Sequence, residues 1–293
     1  MHFVDAKGLL SGSSGHFGMN IYRGCTHGCI YCDSRSHCYQ FTHQFEDIEV
    51  KQNAPELLDK ALRSKRKKGM IGTGAMSDPY MHCEEELGLT RKCLEIIRKY
   101  GFGVAIQTKS DRILRDIDLL DEINKETKCV VQMTLTTYDD ALCRILEPNV
   151  CNTRRRIEVL KKMQDMGIPT IVWLSPILPY INDTEENITT ILNECVRVGV
   201  KGVICFGMGL TLRDGDREYY YAALDKHFPG LKERYIREFG NAYEIPSPNT
   251  KNLYRIFYEI CNTNGMMSTP DECFGFMYEF PEKYKQMSLF DPE

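Results

Sequence analysis

Three cysteines in the run Cys25-Thr-His-Gly-Cys29-Ile-Tyr-Cys32 carry the strongest chemical signal in this chain. The spacing C-x3-C-x2-C turns three thiolates inward from one short loop. Thiolates are soft ligands that suit iron–sulfur clusters and zinc. Three ligands do not close a four-iron cubane, so one iron stays open to bind and activate something else, as the open position of a catalytic zinc does. The competing reading is a zinc knuckle with a fourth ligand from His27, Asp33, His37 or Cys38. Most structural zinc sites carry a second C-x2-C, and this chain has none, so the iron–sulfur reading is preferred.

Such a loop needs a rigid frame, and the rest of the chain supplies the pattern of one. Apolar runs alternate with helical periodicity, which argues for β-α units on a parallel sheet. A first strand is expected over residues 17–22, running straight into the cysteines. Further strands are expected over 70–74, 102–108, 129–135, 169–174 and 200–206. Helices are expected over 54–68, 85–100, 113–125, 153–166 and 184–198. Asn53 caps the first of these, and Asp183 with Glu186 forms a capping box on the last. The lysines and arginine at 65–68 read as cations favoured at a helix C-terminus rather than as a nucleic-acid patch.

Six units are too few for an eight-fold barrel. The expected fold class is therefore α/β, a partial six-fold β/α barrel over residues 17–209, with a doubly wound open sheet as the alternative. Residues 1–16 read as a flexible lead-in. Residues 210–280 read as a helical extension that closes the barrel's open edge, with helices near 216–226, 231–239 and 249–261. Residues 281–293 read as a tail.

Ligands of parallel barrels bind where strands end and loops begin. Those ends form a polar ring in this sequence. Gly72-Thr73-Gly74 and Ser77-Asp78-Pro79-Tyr80 follow the second strand, and Thr108-Lys109-Ser110 the third. Thr134-Leu135-Thr136-Thr137 sits at the fourth, Ser175-Pro176 at the fifth and Gly207-Met208-Gly209 at the sixth. Glycines let a ligand approach the backbone closely, and a lysine with nearby hydroxyls can hold a carboxylate.

The cysteine motif resembles the signature of the radical S-adenosylmethionine (SAM) superfamily, whose fold is a partial barrel. The wider set resembles its spore photoproduct lyase-like, or DNA repair photolyase-like, branch over about residues 20–260. That set is Arg23-Gly24-Cys25, His27-Gly28-Cys29, Tyr31-Cys32, Ser77-Asp78-Pro79-Tyr80, Thr108-Lys109-Ser110, Leu146-Glu147-Pro148 and Phe228-Pro229-Gly230-Leu231.

The resemblance implies a 4Fe-4S cluster on Cys25, Cys29 and Cys32, whose open iron chelates SAM and cleaves it reductively to a 5′-deoxyadenosyl radical. It implies that Ser77 and Lys109 hold the SAM carboxylate, with Tyr31, Gly72, Thr73, Gly74, Thr134, Thr136 and Ser175 completing the cofactor site. It also implies a nucleic-acid base as substrate and an electron donor such as flavodoxin or ferredoxin. Two departures stand out. No cysteine lies in residues 69–80, where the lyase carries its hydrogen donor and this chain has Ala75. Asp33 follows the third cysteine where the lyase has tyrosine. Cys38, Cys83 and Tyr80 are then the candidates for quenching a substrate radical.

The chain has 293 residues and a net charge of -4, which gives no global attraction to nucleic acid or anionic membrane. Thirteen dispersed cysteines, an odd count, suit a reduced compartment. With no leader pattern and no apolar run of membrane-spanning length, a cytoplasmic protein is expected. Arg154-Arg155-Arg156 opens a helix where the dipole disfavours cations, so one arginine is expected to turn inward to Glu147. The run Gln286-Met287-Ser288-Leu289-Phe290 resembles the short peptide by which bacterial replication and repair proteins dock on the β sliding clamp. Two other readings compete: a zinc-stabilised, clamp-associated binding module, and a radical enzyme acting on a peptide, RNA or small molecule.

Overall fold

Each expected apolar run becomes a strand, and the register of those strands decides which residues face which side. The computed structural model describes residues 1–281, so the clamp-like run Gln286 to Phe290 lies outside the described residues. The strands are β1 (His2–Val4), β2 (Leu10–Ser13), β3 (His16–Met19), β4 (Tyr22–Arg23), β5 (Glu49–Lys51) and β6 (Met70–Thr73). They continue as β7 (Gly103–Thr108), β8 (Cys129–Thr134), β9 (Thr170–Trp173), β10 (Gly202–Ile204), β11 (Gly209–Thr211) and β12 (Glu244–Pro246). The main sheet has seven strands in the order β10-β9-β8-β7-β6-β3-β2. All neighbours from β3 to β10 are parallel, so the six expected strands are its parallel core, and β2 adds antiparallel at one edge.

Period-two alternation splits this sheet into two chemically distinct faces. Phe17, Ile71, Val104, Ile106, Val131, Met133, Val172 and Val203 pack into the large core beneath the helices. That layer holds α1 (Ala54–Arg63), α3 (Leu89–Lys99), α4 (Ile117–Glu126), α6 (Thr153–Asp165), α7 (Glu185–Arg197) and α10 (Thr250–Thr263), behind the four-residue α2 (Glu84–Leu87) and the seven-residue α5 (Asp140–Leu146). Met70, Ala105, Val130, Ile171 and Ile204 point the other way, onto Cys273 and Met277 of α11 (Pro270–Tyr278). One face carries the helical layer and the other carries α11, so the sheet is a partial β/α barrel and not doubly wound.

Several expectations change. The strand expected over 17–22 breaks into β3 and β4, which belong to different sheets. Asn53 sits at the start of α1, but its side chain does not cap the helix and accepts from Ala6 N at 2.9 Å instead. The helix α1 ends at Arg63, so the cations at 65–68 lie beyond its C-terminus, and Gly88 splits the helix expected over 85–100 into α2 and α3. The segment expected to be a flexible lead-in is built into sheets. Positive φ at Ser14 (57°) and Gly15 (92°) turns β2 back onto β3, and β1 pairs with β5. Backbone pairing satisfies the polar groups that a flexible segment would leave to water. The cap of α7 is Thr184, which accepts from the Asn187 amide at 3.2 Å. Asp183 instead accepts from the Tyr180 amide at 2.7 Å and the Ser247 hydroxyl at 2.5 Å. The extension does more than close an edge. Met267 bonds the free side of β10, with Val203 N to Met267 O at 2.8 Å, and α11 then fills the sheet's inner face. Meanwhile α8 (Asp216–His227) and α9 (Leu231–Phe239) make a separate core with Tyr220 and Tyr235.

Asp216 at the start of α8 is buried, accepts from the Arg213 amide at 2.5 Å, and is pushed up to about 6 by that burial. A folded pKa above the unfolded 3.8 means that the ionised form costs stability above pH 6. That cost disappears as pH falls from about 6 toward 4. Asp216→Asn is expected to remove this slope, on the order of 2–3 kcal/mol at most, in urea unfolding followed across that range.

Candidate functional site

The loop after β4 is held from three directions before any metal is considered. Cys25 N donates to Phe45 O at 3.1 Å, Ile30 N to Leu146 O at 3.0 Å, and Asn149 N to His27 O at 3.2 Å. Asn149 Nδ2 adds a bond to Thr26 O at 2.8 Å, and the Ser77 hydroxyl donates to the Gly24 carbonyl. These bonds fix a backbone that presents Cys25, Cys29 and Cys32 to a cavity of about 690 Å³ at the C-terminal ends of the parallel strands. Burial pushes the Cys25 thiol up to about 12 and raises Cys29 and Cys32 as well. Thiols so placed stay protonated until a metal cation displaces the proton.

The donor set fits a cluster better than zinc. The three sulfurs do not all lie within 4.8 Å of one another, whereas a tetrahedral zinc at its usual bond length sets sulfurs about 3.8 Å apart. A cubane spaces its ligands more widely, and the cavity leaves room beside it for an organic ligand.

Asp78 ties the neighbouring strand ends to this loop. It accepts from Thr108 Oγ1 at 2.7 Å, Lys109 N at 2.7 Å and Tyr80 N at 2.8 Å, and its Oδ2 lies 3.5 Å from His27 Nδ1. The side chain of Lys109 is thereby aimed past the thiols, with Nζ 5.9 Å from the Tyr31 ring centroid. Burial opposes its charge, but the negative charge of the Cys29 thiolate, where it forms, and of Glu147 outweighs that and raises its pKa.

Beneath the loop, Arg156 turns inward to Glu147 at 2.5 Å, with both side chains fully buried. The expected pairing of one arginine of the triplet with Glu147 is therefore present. Tyr31 donates its hydroxyl to the same carboxylate. Burial alone would neutralise Glu147, and Arg156 and Lys109 hold its pKa below the usual range.

Tyr31, Gly74, Ser77, Lys109, Thr134 and Ser175 line the cavity with the three cysteines. Gly72, Thr73 and Thr136 do not. The Tyr278 hydroxyl of α11 sits 2.8 Å from where a Gly72 side chain would begin. Thr73 is buried on the helix side of the sheet, and the Thr136 carbonyl takes the Asn182 and Asn187 amides.

None of the three quenching candidates reaches the cavity either. Cys38 is exposed and lies 3.3 Å from Arg213 Nη1. Cys83 lines a different cavity with Arg112 and Cys151, and Tyr80 is fully buried under Arg115. Sequence position after a strand-end loop does not say which way a loop folds. Reading the loops also missed Gln107, Trp173, Phe206, Tyr243 and Tyr254 of the cavity wall. Strict alternation from Ala105 would have found Gln107, and alternation from Ile171 would have found Trp173.

Gly74 holds the loop after β6 in a conformation that L side chains avoid, at φ +101°, and a Cβ there would lie 1.9 Å from the Gln107 carbonyl oxygen. Gly74→Ala is expected to cost at least about 2–3 kcal/mol and to weaken cofactor binding tenfold or so. Thermal unfolding and SAM titration of the same preparation check both.

A model of the radical SAM superfamily matches residues 19–192, more than half of the chain. The chain belongs to the radical SAM superfamily, whose enzymes use a 4Fe-4S cluster and S-adenosylmethionine. An uncharacterized protein of Mycobacterium tuberculosis is 26% identical over 248 residues, covering 81% of this chain and 71% of the relative. Spore photoproduct lyase complexed with dinucleoside spore photoproduct superposes with a TM-score of 0.63 at 14% identity, covering 86% of this chain and 75% of the lyase. The radical SAM methyltransferase TsrM of Kitasatospora setae, with cobalamin and a [4Fe-4S] cluster bound, gives 0.56 at 11% identity, covering 87% and 55%. At these identities the likeness is one of fold. Membership of an enzyme superfamily sets aside the non-catalytic zinc module. Among the described residues no helix is long and apolar enough to cross a membrane.

Proposed function

We propose that Cys25, Cys29 and Cys32 hold the cluster, that Gly74, Ser77, Lys109, Thr134 and Ser175 seat SAM, and that the substrate is a nucleic-acid base. When bound, the two cofactors supply the one-electron cleavage that yields a 5′-deoxyadenosyl radical. A small reductant such as flavodoxin or ferredoxin would deliver the electron. The observation that carries the substrate reading is the aromatic part of the cavity wall. Trp173 and Phe206 have ring centroids 5.6 Å apart, Phe206 is 60% exposed, and Arg213 lies 5.0 Å from the Tyr243 ring. Aromatic faces at a mouth stack planar bases; Arg213 itself is committed to Asp33 at 3.1 Å and to the Tyr243 hydroxyl at 2.8 Å, so it orders this wall.

Lys109 provides the fixed positive charge for the SAM carboxylate. The single hydrogen of Ser77 is committed to Gly24, so Ser77 must rotate to donate to that carboxylate. Spore photoproduct lyase, bound to a dinucleoside photoproduct, supports a DNA-repair role for this chain. Ala75 stands where the hydrogen-donor cysteine is expected, and the only cysteines lining this cavity among the described residues are the three of the motif. Repair by the lyase's own hydrogen return is therefore not part of the proposal. The clamp contact through Gln286, Met287, Ser288, Leu289 and Phe290 belongs to it on sequence resemblance alone.

The test is release of 5′-deoxyadenosine by anaerobically reconstituted protein given SAM and a strong reductant, with and without lesion-bearing oligonucleotides. Stimulation by an oligonucleotide supports the reading, and stimulation by peptides alone would overturn the substrate class. Trp173→Ala is expected to raise the oligonucleotide KM about tenfold, since a stacked base contributes about 1–3 kcal/mol, with little change in the slow release seen without substrate.

A further inference from the structure

Two histidines and a glutamate outside the lining of the thiol cavity form a second set of metal donors. The parallel register of β1 on β5 sets His2 beside Glu49. His43, on the loop entering β5, meets His2 edge to face with ring centroids 4.8 Å apart. One ring nitrogen of each histidine and a carboxylate oxygen of Glu49 all lie within 4.8 Å of one another. His43 Nε2 is 3.9 Å from Glu49 Oε2 and is buried without a hydrogen-bond partner.

The remaining ring nitrogens are already committed. His2 Nδ1 is 3.0 Å from Asp47 Oδ2, and His43 Nδ1 donates to the Gln44 carbonyl at 2.9 Å. Bonds of this kind fix the tautomer that leaves Nε2 with its lone pair, and they are the usual outer support of a metal-bound imidazole. Arg23, the cross-strand neighbour of Glu49, does not neutralise it; its guanidinium is taken by the carbonyls of Tyr39 and Gln40.

The geometry points to a divalent transition-metal site, zinc by chemical class, ligated by Nε2 of His2, Nε2 of His43 and the Glu49 carboxylate, with water at an open fourth position. Two imidazoles and a carboxylate are a known zinc donor set, and a tetrahedral ion would draw the three atoms to about 3.3–3.5 Å separations. Side-chain exposures of 38% for His2, 14% for His43 and 20% for Glu49 leave a path for entry. The site clasps the loop carrying Phe45, whose carbonyl receives the Cys25 amide and lies 2.4 Å from where a Gly24 side chain would begin. A metal here braces the segment on which the thiol loop rests.

The test uses tag-free, full-length protein with its cluster reconstituted, equilibrated with zinc and analysed for zinc and iron together. One zinc per chain is expected, with a zinc-edge X-ray absorption shell of nitrogen and oxygen at about 2.0 Å. His43→Ala and Glu49→Gln should each cut zinc affinity at least tenfold while iron content and circular dichroism stay at wild-type levels. Asp47→Asn should weaken it roughly tenfold by loosening His2. Zinc at background in the wild type, zinc undiminished in both ligand variants, or a sulfur shell at about 2.3 Å would overturn the assignment, the last by placing the ion on the cysteine loop.

Discussion

Cys29→Ala protein is expected to lose its iron and to release no 5′-deoxyadenosine above background. Cys29 is the most enclosed thiol of the three and lines the cavity with Tyr31. With one thiolate gone, two irons of the cubane lack a protein ligand, and two soft donors do not retain a cluster against water and chelators. The expected change is from about four irons per chain to well below one, read by iron and sulfide analysis after anaerobic reconstitution. Cys38→Ala and Cys83→Ala supply the contrast, because both side chains lie outside the cavity. Both variants should keep full iron content and near-wild-type release. Retention of iron and activity by Cys29→Ala would sink the cluster assignment.

Arg156→Ala is expected to destabilise the fold by about 3–5 kcal/mol, because it takes the hydrogen-bonded partner from a fully buried carboxylate and leaves only the more distant charge of Lys109. For a chain of this size that lowers Tm by roughly 6–20 °C. Arg156 also donates to Thr134 O at 3.1 Å and Cys151 O at 3.0 Å, so its loss strips acceptors as well as a charge. The effect reaches the site through Tyr31, whose hydroxyl shares the Glu147 carboxylate and whose backbone joins Cys29 to Cys32 through Ile30. Iron retention should therefore fall with Tm. The double variant Glu147→Leu with Arg156→Met removes both charges at similar volume and should recover much of the lost Tm. Thermal unfolding of the three proteins checks this, and a single-variant shift under about 2 °C would show that the pair carries little stability.

The chemistry of the cluster loop was legible because its donors lie within eight consecutive residues, 25–32. Local spacing puts the three donors on one loop, and bonds with Phe45, Leu146, Asn149 and Ser77 fix how they converge. The six parallel strands were legible for a similar reason, since each is a short apolar run bounded by turn residues. An inward pairing of one arginine with Glu147 was legible because a cation in a first helical turn needs an acid or a phosphate to explain it; that Arg156 is the one was decided by the fold.

Other features depend on register and on distant segments. The N-terminal hairpin reads as polar and glycine-rich, and only its pairing to β3 makes it structure. No helix was expected over residues 270–278, and only the tertiary fold places α11 against Gly72 and so removes that glycine from the cavity wall. Trp173 and Phe206 converge because β9 and β10 lie side by side. His2, His43 and Glu49 converge because β1 returns to β5. The sequence by itself determined the reactive loop and the sheet that carries it, because both follow from near-neighbour spacing. What surrounds that loop was decided by the tertiary structure, because a contact between segments far apart in the chain exists only once the register of the whole sheet is set.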